Sequence, residues 1–123
     1  MGYYPDQSVY YEYLYDNGKL NGPYKVFYED GSTNNEGNFK NDLYEGEVVG
    51  YYRSGQIKSS YTYKEGVLNG PAVEYYEDGQ VQSTGAYKND KQLGEWKQYN
   101  SAGALIQVEA YDERGKVLSL IHI

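Results

Sequence analysis

The sequence predicts an all-β fold, an elongated single-layer antiparallel meander of β-hairpin repeats with a solenoid-like form. Two observations predict it. A pattern of glycines and aromatic residues repeats every 24 residues along a chain of 123 residues. The composition includes 18 Tyr and 15 Gly, and no stretch shows a sustained helical periodicity. The recurring glycines fall in two registers, Gly22, Gly46, Gly70 and Gly94, and Gly31, Gly55, Gly79 and Gly103.

Each repeat contains two strand candidates and two turns. In the best-preserved repeat the first strand runs from Ala72 to Tyr76 and the second from Val81 to Tyr87, both rich in aromatic and β-branched residues. The EDG segments at 29–31 and 77–79 predict turns with glycine in the left-handed conformation. Residues 16–22, DNGKLNG, contain Asn17-Gly18 near their start, a strong hairpin signal. We therefore assign all eight recurring glycines as structural turn residues.

The repeat phase predicts one array over residues 1–117, with units near 3–26, 27–50, 51–74, 75–98 and 99–117. Residues 118–123 leave the phase, because Leu118 stands where the repeat predicts Gly. Their sequence, LSLIHI, looks like the in-frame translation of a sequencing-library adapter, which predicts a non-native tail from a truncated metagenomic read. A genuine apolar capping strand is the alternative. The chain starts in mid-unit without a visible signal peptide, so either there is none or the true start lies upstream, and the compartment is left open.

Side chains alternate between the two faces of a strand, which predicts where the rings lie. Ser83 and Gly85 share a face with Tyr87, and their small size leaves room there for large rings from the next strand. Paired aromatics such as Tyr51-Tyr52 place one ring on each face. We therefore expect an exposed row of rings on the other face, and take four residues as candidates for partner binding: Tyr28, Tyr52, Tyr76 and Trp96. The alternative is that the Tyr rows serve packing alone.

Composition excludes several functions. The formal net charge of −7 argues against nucleic acid as a partner, and no apolar run is long enough for a transmembrane segment. The acidic pairs Glu29-Asp30 and Glu77-Asp78 recur at one turn phase and are interpreted as turn residues rather than as a catalytic pair. The only His is His122 at the extreme end, so Ser59, Ser60 and Ser83 have no His within the array to activate them. We predict no catalytic, metal-binding or cofactor-binding residue, no cofactor, and no enzyme activity.

The repeat resembles the MORN repeat, in the bacterial variant whose members are often labelled antitoxin-like repeat proteins. The residues that carry the resemblance are Gly66, Leu68 and Gly70, Tyr75, Tyr76, Asp78 and Gly79, Tyr87 to Asn89, and Gly94 to Lys97. The resemblance implies an open antiparallel sheet of hairpins and a non-catalytic role in binding a protein partner. Some family members look like immunity proteins paired with a toxin. Resemblance to the wider repeat class also implies binding to membrane lipids.

A weaker resemblance links residues 75–87, YYEDGQVQSTGAY, to aromatic-rich wall-binding repeats that hold choline or glucan. Such aromatic cages use several Trp, whereas this chain has Trp96 alone. We therefore expect a protein-interaction module, antitoxin- or immunity-like, with a protein partner such as a basic toxin. A glycan- or cell-wall-binding module that uses the aromatic rows is the first alternative, with peripheral membrane contact also open. A structural spacer in a longer chain is the second.

Overall fold

The computed structural model describes residues 2–3 and 9–123, and within them it contains strands and no helix. The strands, in chain order, are β1 (Gly2–Tyr3), β2 (Val9–Glu12), β3 (Tyr15–Asp16), β4 (Lys19–Leu20), β5 (Gly22–Phe27), β6 (Thr33–Lys40), β7 (Leu43–Tyr44), β8 (Gly46–Tyr51), β9 (Ile57–Lys64), β10 (Val67–Tyr75), β11 (Val81–Lys88), β12 (Lys91–Tyr99), β13 (Leu105–Tyr111) and β14 (Val117–His122).

The main sheet follows the chain from one end to the other. Its strands lie in the order β1, β2, β5, β6, β8, β9, β10, β11, β12, β13 and β14, and β7 pairs with β6. All of these neighbours are antiparallel, while β3 and β4 form a separate two-stranded hairpin. The predicted single-layer meander of hairpins is therefore confirmed.

Tight two-residue turns connect the strands along one side of the sheet. Both central residues of each turn have positive φ, as two-residue hairpins of this twist require. Asp42 and Asp90 have φ of 70° and 69°, which confirms that aspartate takes the left-handed conformation that glycine adopts in the alternate repeats. The Asp90 carboxylate also accepts a 2.7 Å hydrogen bond from the Leu68 backbone N–H, so this hairpin tip is bonded to the preceding one.

Longer turns connect the strands along the opposite side, and they contain one of the two sets of recurring glycines. Gly31, Gly55, Gly79 and Gly103 have φ between 88° and 94°. In each turn the glycine N–H donates to the carbonyl three residues earlier, as from Gly55 to Tyr52 at 2.9 Å. These are the turns that the EDG segments predict.

The other glycine register lies at the start of strands or inside them, rather than in the reverse turns that the sequence predicts. Gly22 and Gly46 begin β5 and β8, whereas Gly70 and Gly94 lie inside β10 and β12. All four have positive φ. Between Leu68 and Ala72, β10 has two more residues than the facing part of β9, so this strand bulges at Gly70.

Strand β14 forms the last edge of the sheet and contains most of the predicted tail. It pairs with β13 from Val117 to His122, and all six of its residues are exposed. The non-native origin of residues 118–123 stays a prediction, as do the unit boundaries.

The two faces of the sheet differ in character. We call the face that carries Tyr24, Tyr61 and Trp96 the front face, and the face that carries Lys25, Glu36 and Val49 the back face. The residues that cross the centre of the front face form the front row, which combines large and small side chains: Tyr24, Gly37, Val48, Tyr61, Ala72, Gly85 and Trp96.

Small residues in the front row make room for large ones beside them. Tyr24 is 3% exposed and Ala72 is 2% exposed. A Cβ atom built on Gly37 would lie 3.0 Å from Tyr24 Cε1, and one built on Gly85 would overlap the Trp96 indole. The predicted space for a ring above Gly85 is therefore confirmed, and the packed side of this thin sheet is the front face.

Candidate binding surface

The predicted row of Tyr28, Tyr52 and Tyr76 lies on the side of the sheet where the longer turns connect the strands. Each is the first residue after a strand, and each is half-buried. Their hydroxyls donate to the backbone carbonyls of Tyr51, Tyr75 and Tyr99 at 2.7, 2.6 and 2.8 Å. The row therefore forms contacts between successive repeats, in addition to any contact with a partner.

Cationic side chains cover two of these rings. The Arg53 guanidinium carbon lies 4.6 Å from the centroid of the Tyr28 ring, and the Lys58 ammonium lies 5.7 Å from that of Tyr52. Such cation–π contacts occupy the ring face that a partner would use. A partner that stacked on Tyr28 would have to displace Arg53.

Trp96, the fourth predicted site residue, lies apart from this row. It is on β12 on the front face, where its indole packs over Gly85 and its Nε1–H donates to the Ala86 carbonyl at 3.1 Å. The Tyr87 ring meets it edge-on at 5.0 Å. The structure therefore does not bring the four predicted residues together as one site.

Aromatic rings that the sequence did not single out form the densest part of the front face. Their centroids lie between 4.8 and 5.9 Å from their neighbours, and the rings belong to Tyr13, Tyr24, Phe39, Tyr44 and Tyr63. Burial raises the pKa of Tyr24 well above its usual range, with Tyr44 adding to the effect. Tyr24, Val48, Ala72 and Trp96 occupy the same position in successive repeats. Because their side chains differ in size and polarity, the sequence alone does not show that this position lies in the core.

Tyrosine hydroxyls also bond to carboxylates on both faces. On the back face Tyr51 donates to Glu36 at 2.6 Å, and this hydrogen bond raises the pKa of Tyr51 to about 12. On the front face Tyr61 donates to Glu74; burial, followed by this bond, raises the pKa of Tyr61. Both pairs keep a carboxylate at the surface of the sheet, where it can accept a further hydrogen bond.

A groove on the back face runs across β2, β5, β6 and β8. Its volume is about 570 Å³, and its lining includes Glu12, Leu14, Lys25, Glu36, Glu47 and Val49. Strand pairing places Glu12, Lys25, Glu36, Glu47 and Val49 on the back face, and the lining also reaches Tyr24 and Gly37 of the front row. Sequence alone does not indicate this groove, because its lining comes from four strands whose facing residues are set by the sheet pairing.

The acidic pairs Glu29-Asp30 and Glu77-Asp78 lie in turns, where the aspartates bond to the backbone. Asp30 Oδ1 and Asp78 Oδ1 each accept a 2.9 Å hydrogen bond from a backbone N–H two residues on. The bonds from Ser32 hold the pKa of Asp30 below its usual range. Across the part of the chain that the structure describes, no group of three or more His, Cys, Asp or Glu could hold a metal ion.

The same part of the chain has no helix with the length and apolar character to cross a membrane. The fold and these surfaces define a repeat protein made of antiparallel hairpins, with rings at its repeat contacts.

The family model described as a MORN repeat variant matches residues 20–41, 44–65 and 68–89, more than half of the chain. The chain belongs to this family. MORN repeats are generally non-catalytic modules that bind proteins or membranes. No curated protein matches the chain significantly.

Proposed function

We propose that the chain is a non-catalytic module that binds a protein partner, in the manner of an antitoxin or immunity protein. The observation that carries the proposal is the front face, where aromatic rings pack against one another and many of them stay half-buried: Tyr44, Tyr63, Tyr87 and Trp96. Half-covered aromatic rings are typical of the central part of protein interfaces. The net charge of −7 favours a basic partner, such as a toxin, by electrostatic steering.

The proposal is tested by immobilising the chain and passing a native lysate of its source organism over it at low and at high salt. We expect one basic protein to be retained at low salt and released as salt screens the attraction. If the retained protein arrests growth when expressed alone, and co-expression of this chain restores growth, the immunity role is supported. Retention of no protein at low salt would contradict the proposal.

A specific cluster supports a second candidate, the binding of a glycan or cell-wall polymer. Tyr61, Tyr87 and Trp96 lie together on the front face, and Glu74 beside them can accept hydrogen bonds from sugar hydroxyls. Titration with cell-wall polysaccharide, followed by the fluorescence of Trp96, separates this candidate from the first. If neither a protein nor a polysaccharide binds, a structural spacer role is the remaining proposal.

A further inference from the structure

The groove on the back face is lined by charges of one predominant sign. Across it, Glu12, Lys25 and Glu36 are successive direct partners on β2, β5 and β6. Glu47 lies on β8 at the far side, and it is close enough to Tyr51 for its charge to help raise the pKa of that hydroxyl. Three carboxylates therefore line the groove with one ammonium group.

That ammonium group is already engaged. Lys25 Nζ lies 3.7 Å from Glu36 Oε2, and Glu36 also accepts the Tyr51 hydroxyl. Among the residues that the structure describes, no ion pair reaches Glu12 or Glu47. The groove thus keeps two carboxylates outside any ion pair of the described residues, and a concave wall strengthens the field that they produce.

Apolar side chains complete the lining and restrict what fits between the charges. Leu14 and Pro23 lie on the side of β2 and β5, and Val49 lies on the side of β8. A side chain with an apolar stem and a cationic head would contact both kinds of group, as Arg and Lys side chains do. Arginine fits better than lysine, because its planar group can bond to a carboxylate through two N–H groups.

We infer that this groove binds an arginine side chain presented by an extended basic segment of the protein partner. The inference rests on the proposed function, and it names the chemistry that the partner must supply. The groove crosses four neighbouring strands, a width of about 14 Å at the usual strand spacing. Such a width admits a single extended segment, whose arginine would lie between Glu12 and Glu47.

The test uses the whole chain, and as probe an acetylated peptide of alternating glycine and arginine. Its control is the same peptide with citrulline, which keeps the shape of arginine and removes its charge. In NMR titrations we expect the arginine peptide to shift the amide signals of residues 12, 25, 36 and 47. We expect the citrulline peptide to leave those signals unchanged.

A matched pair of double variants then locates the site. Glu12→Gln with Glu47→Gln removes two charges from the groove. Glu95→Gln with Glu113→Gln removes two exposed charges elsewhere, and Glu95 occupies the register position of Glu47 two repeats later. We expect the groove variant to weaken peptide binding about five- to tenfold and the control variant to weaken it less than twofold.

Several results would overturn the inference. Equal weakening in the two variants would mean that binding follows net charge, and shifts confined to the front face would place the peptide elsewhere. A dimer in sedimentation that the groove variant abolishes would make a second copy of the chain the occupant. If the partner from the lysate binds the groove variant as tightly as the control variant, the groove inference fails while the proposed function stands. If no partner is retained by the unmodified chain, the proposed function itself fails.

Discussion

The Tyr52 hydroxyl donates a 2.6 Å hydrogen bond to the backbone carbonyl oxygen of Tyr75, 23 residues further along the chain. The same bond joins Tyr28 to Tyr51 and Tyr76 to Tyr99. Each bond therefore ties the turn of one repeat to the last residue of a strand in the next. In a repeat array, whose stability depends on contacts between neighbours, these bonds couple the units.

Replacing Tyr52 by Phe should weaken this coupling. The change removes one hydroxyl and leaves the ring, so we expect a loss of about 0.5–1.5 kcal/mol in the free energy of unfolding. Urea denaturation measures it. Tyr15→Phe is the matched control, because Tyr15 is 65% exposed, and it should be neutral. Equal effects of the two changes would show that the hydroxyl of Tyr52 contributes nothing.

Gly85→Ala tests the fit between Gly85 and Trp96. The new methyl group would overlap the indole, so we expect a loss of about 1–3 kcal/mol and a shift in Trp96 fluorescence. Gly50→Ala is the control, since the atom its methyl would meet is the Ser59 hydroxyl, which can rotate away. The double variant with Gly85→Ala and Trp96→Ala has no clash. We therefore expect its loss in free energy of unfolding to be smaller than the sum of the losses of the two single variants.

Gly55→Val tests backbone conformation without crowding. Gly55 has φ of 93°, and a Cβ atom there would meet nothing within 4 Å. We expect Val to cost more than about 1 kcal/mol through backbone strain alone, and Asn, which tolerates positive φ better, to cost less. Thermal denaturation of both variants checks the order. A neutral valine variant would be incompatible with the left-handed turn.

Alkaline pH should unfold the protein through its tyrosines. Hydrogen bonds to Glu36 and Glu109 raise the pKa of Tyr51 and Tyr111 from 10.0 to about 12. The folded chain therefore holds these protons more tightly than the unfolded chain does. The resulting stabilisation is complete below pH 10 and is lost as pH rises through 12.

The absorbance of tyrosinate follows this titration directly. We expect part of the tyrosinate absorbance to appear only near pH 12 in the folded chain, and near pH 10 in the urea-unfolded chain. Glu36→Gln should bring the ionisation of Tyr51 to lower pH, because a neutral amide no longer repels the phenolate. Identical titration curves for the folded and the urea-unfolded chain would contradict the prediction.

The fold could be predicted from the sequence because glycines recur at a fixed spacing, and that spacing identifies the repeat and its turns. Gly55 and its equivalents adopt the predicted turn. Gly70 shows the limit of this reasoning: positive φ is required at a bulge as well as at a turn, and the glycine alone does not tell which. Only the pairing of β10 with β9 decides it.

The candidate site was less accessible to sequence reasoning. Alternation along a strand gives the side of the sheet on which Tyr52 lies, but not the carbonyl 23 residues away that its hydroxyl reaches. The back-face groove was missed for a similar reason. Glu12, Lys25 and Glu36 are separated along the chain, and strand register alone makes them neighbours.

The order of large and small side chains in the front row differs from repeat to repeat, so each repeat fits one position in the array. Gly85 fits beneath Trp96, and Tyr61 lies beside Ala72 on one side and Val48 on the other. Exchanging the repeat that carries Val48 and Tyr61 with the one that carries Ala72 and Gly85 would set Tyr61 against Trp96. It would also leave Gly37, Ala72 and Gly85 side by side with no large ring between them. Units that share their glycine framework are therefore not interchangeable, so recombination that shuffles them within the gene would yield chains that pack poorly.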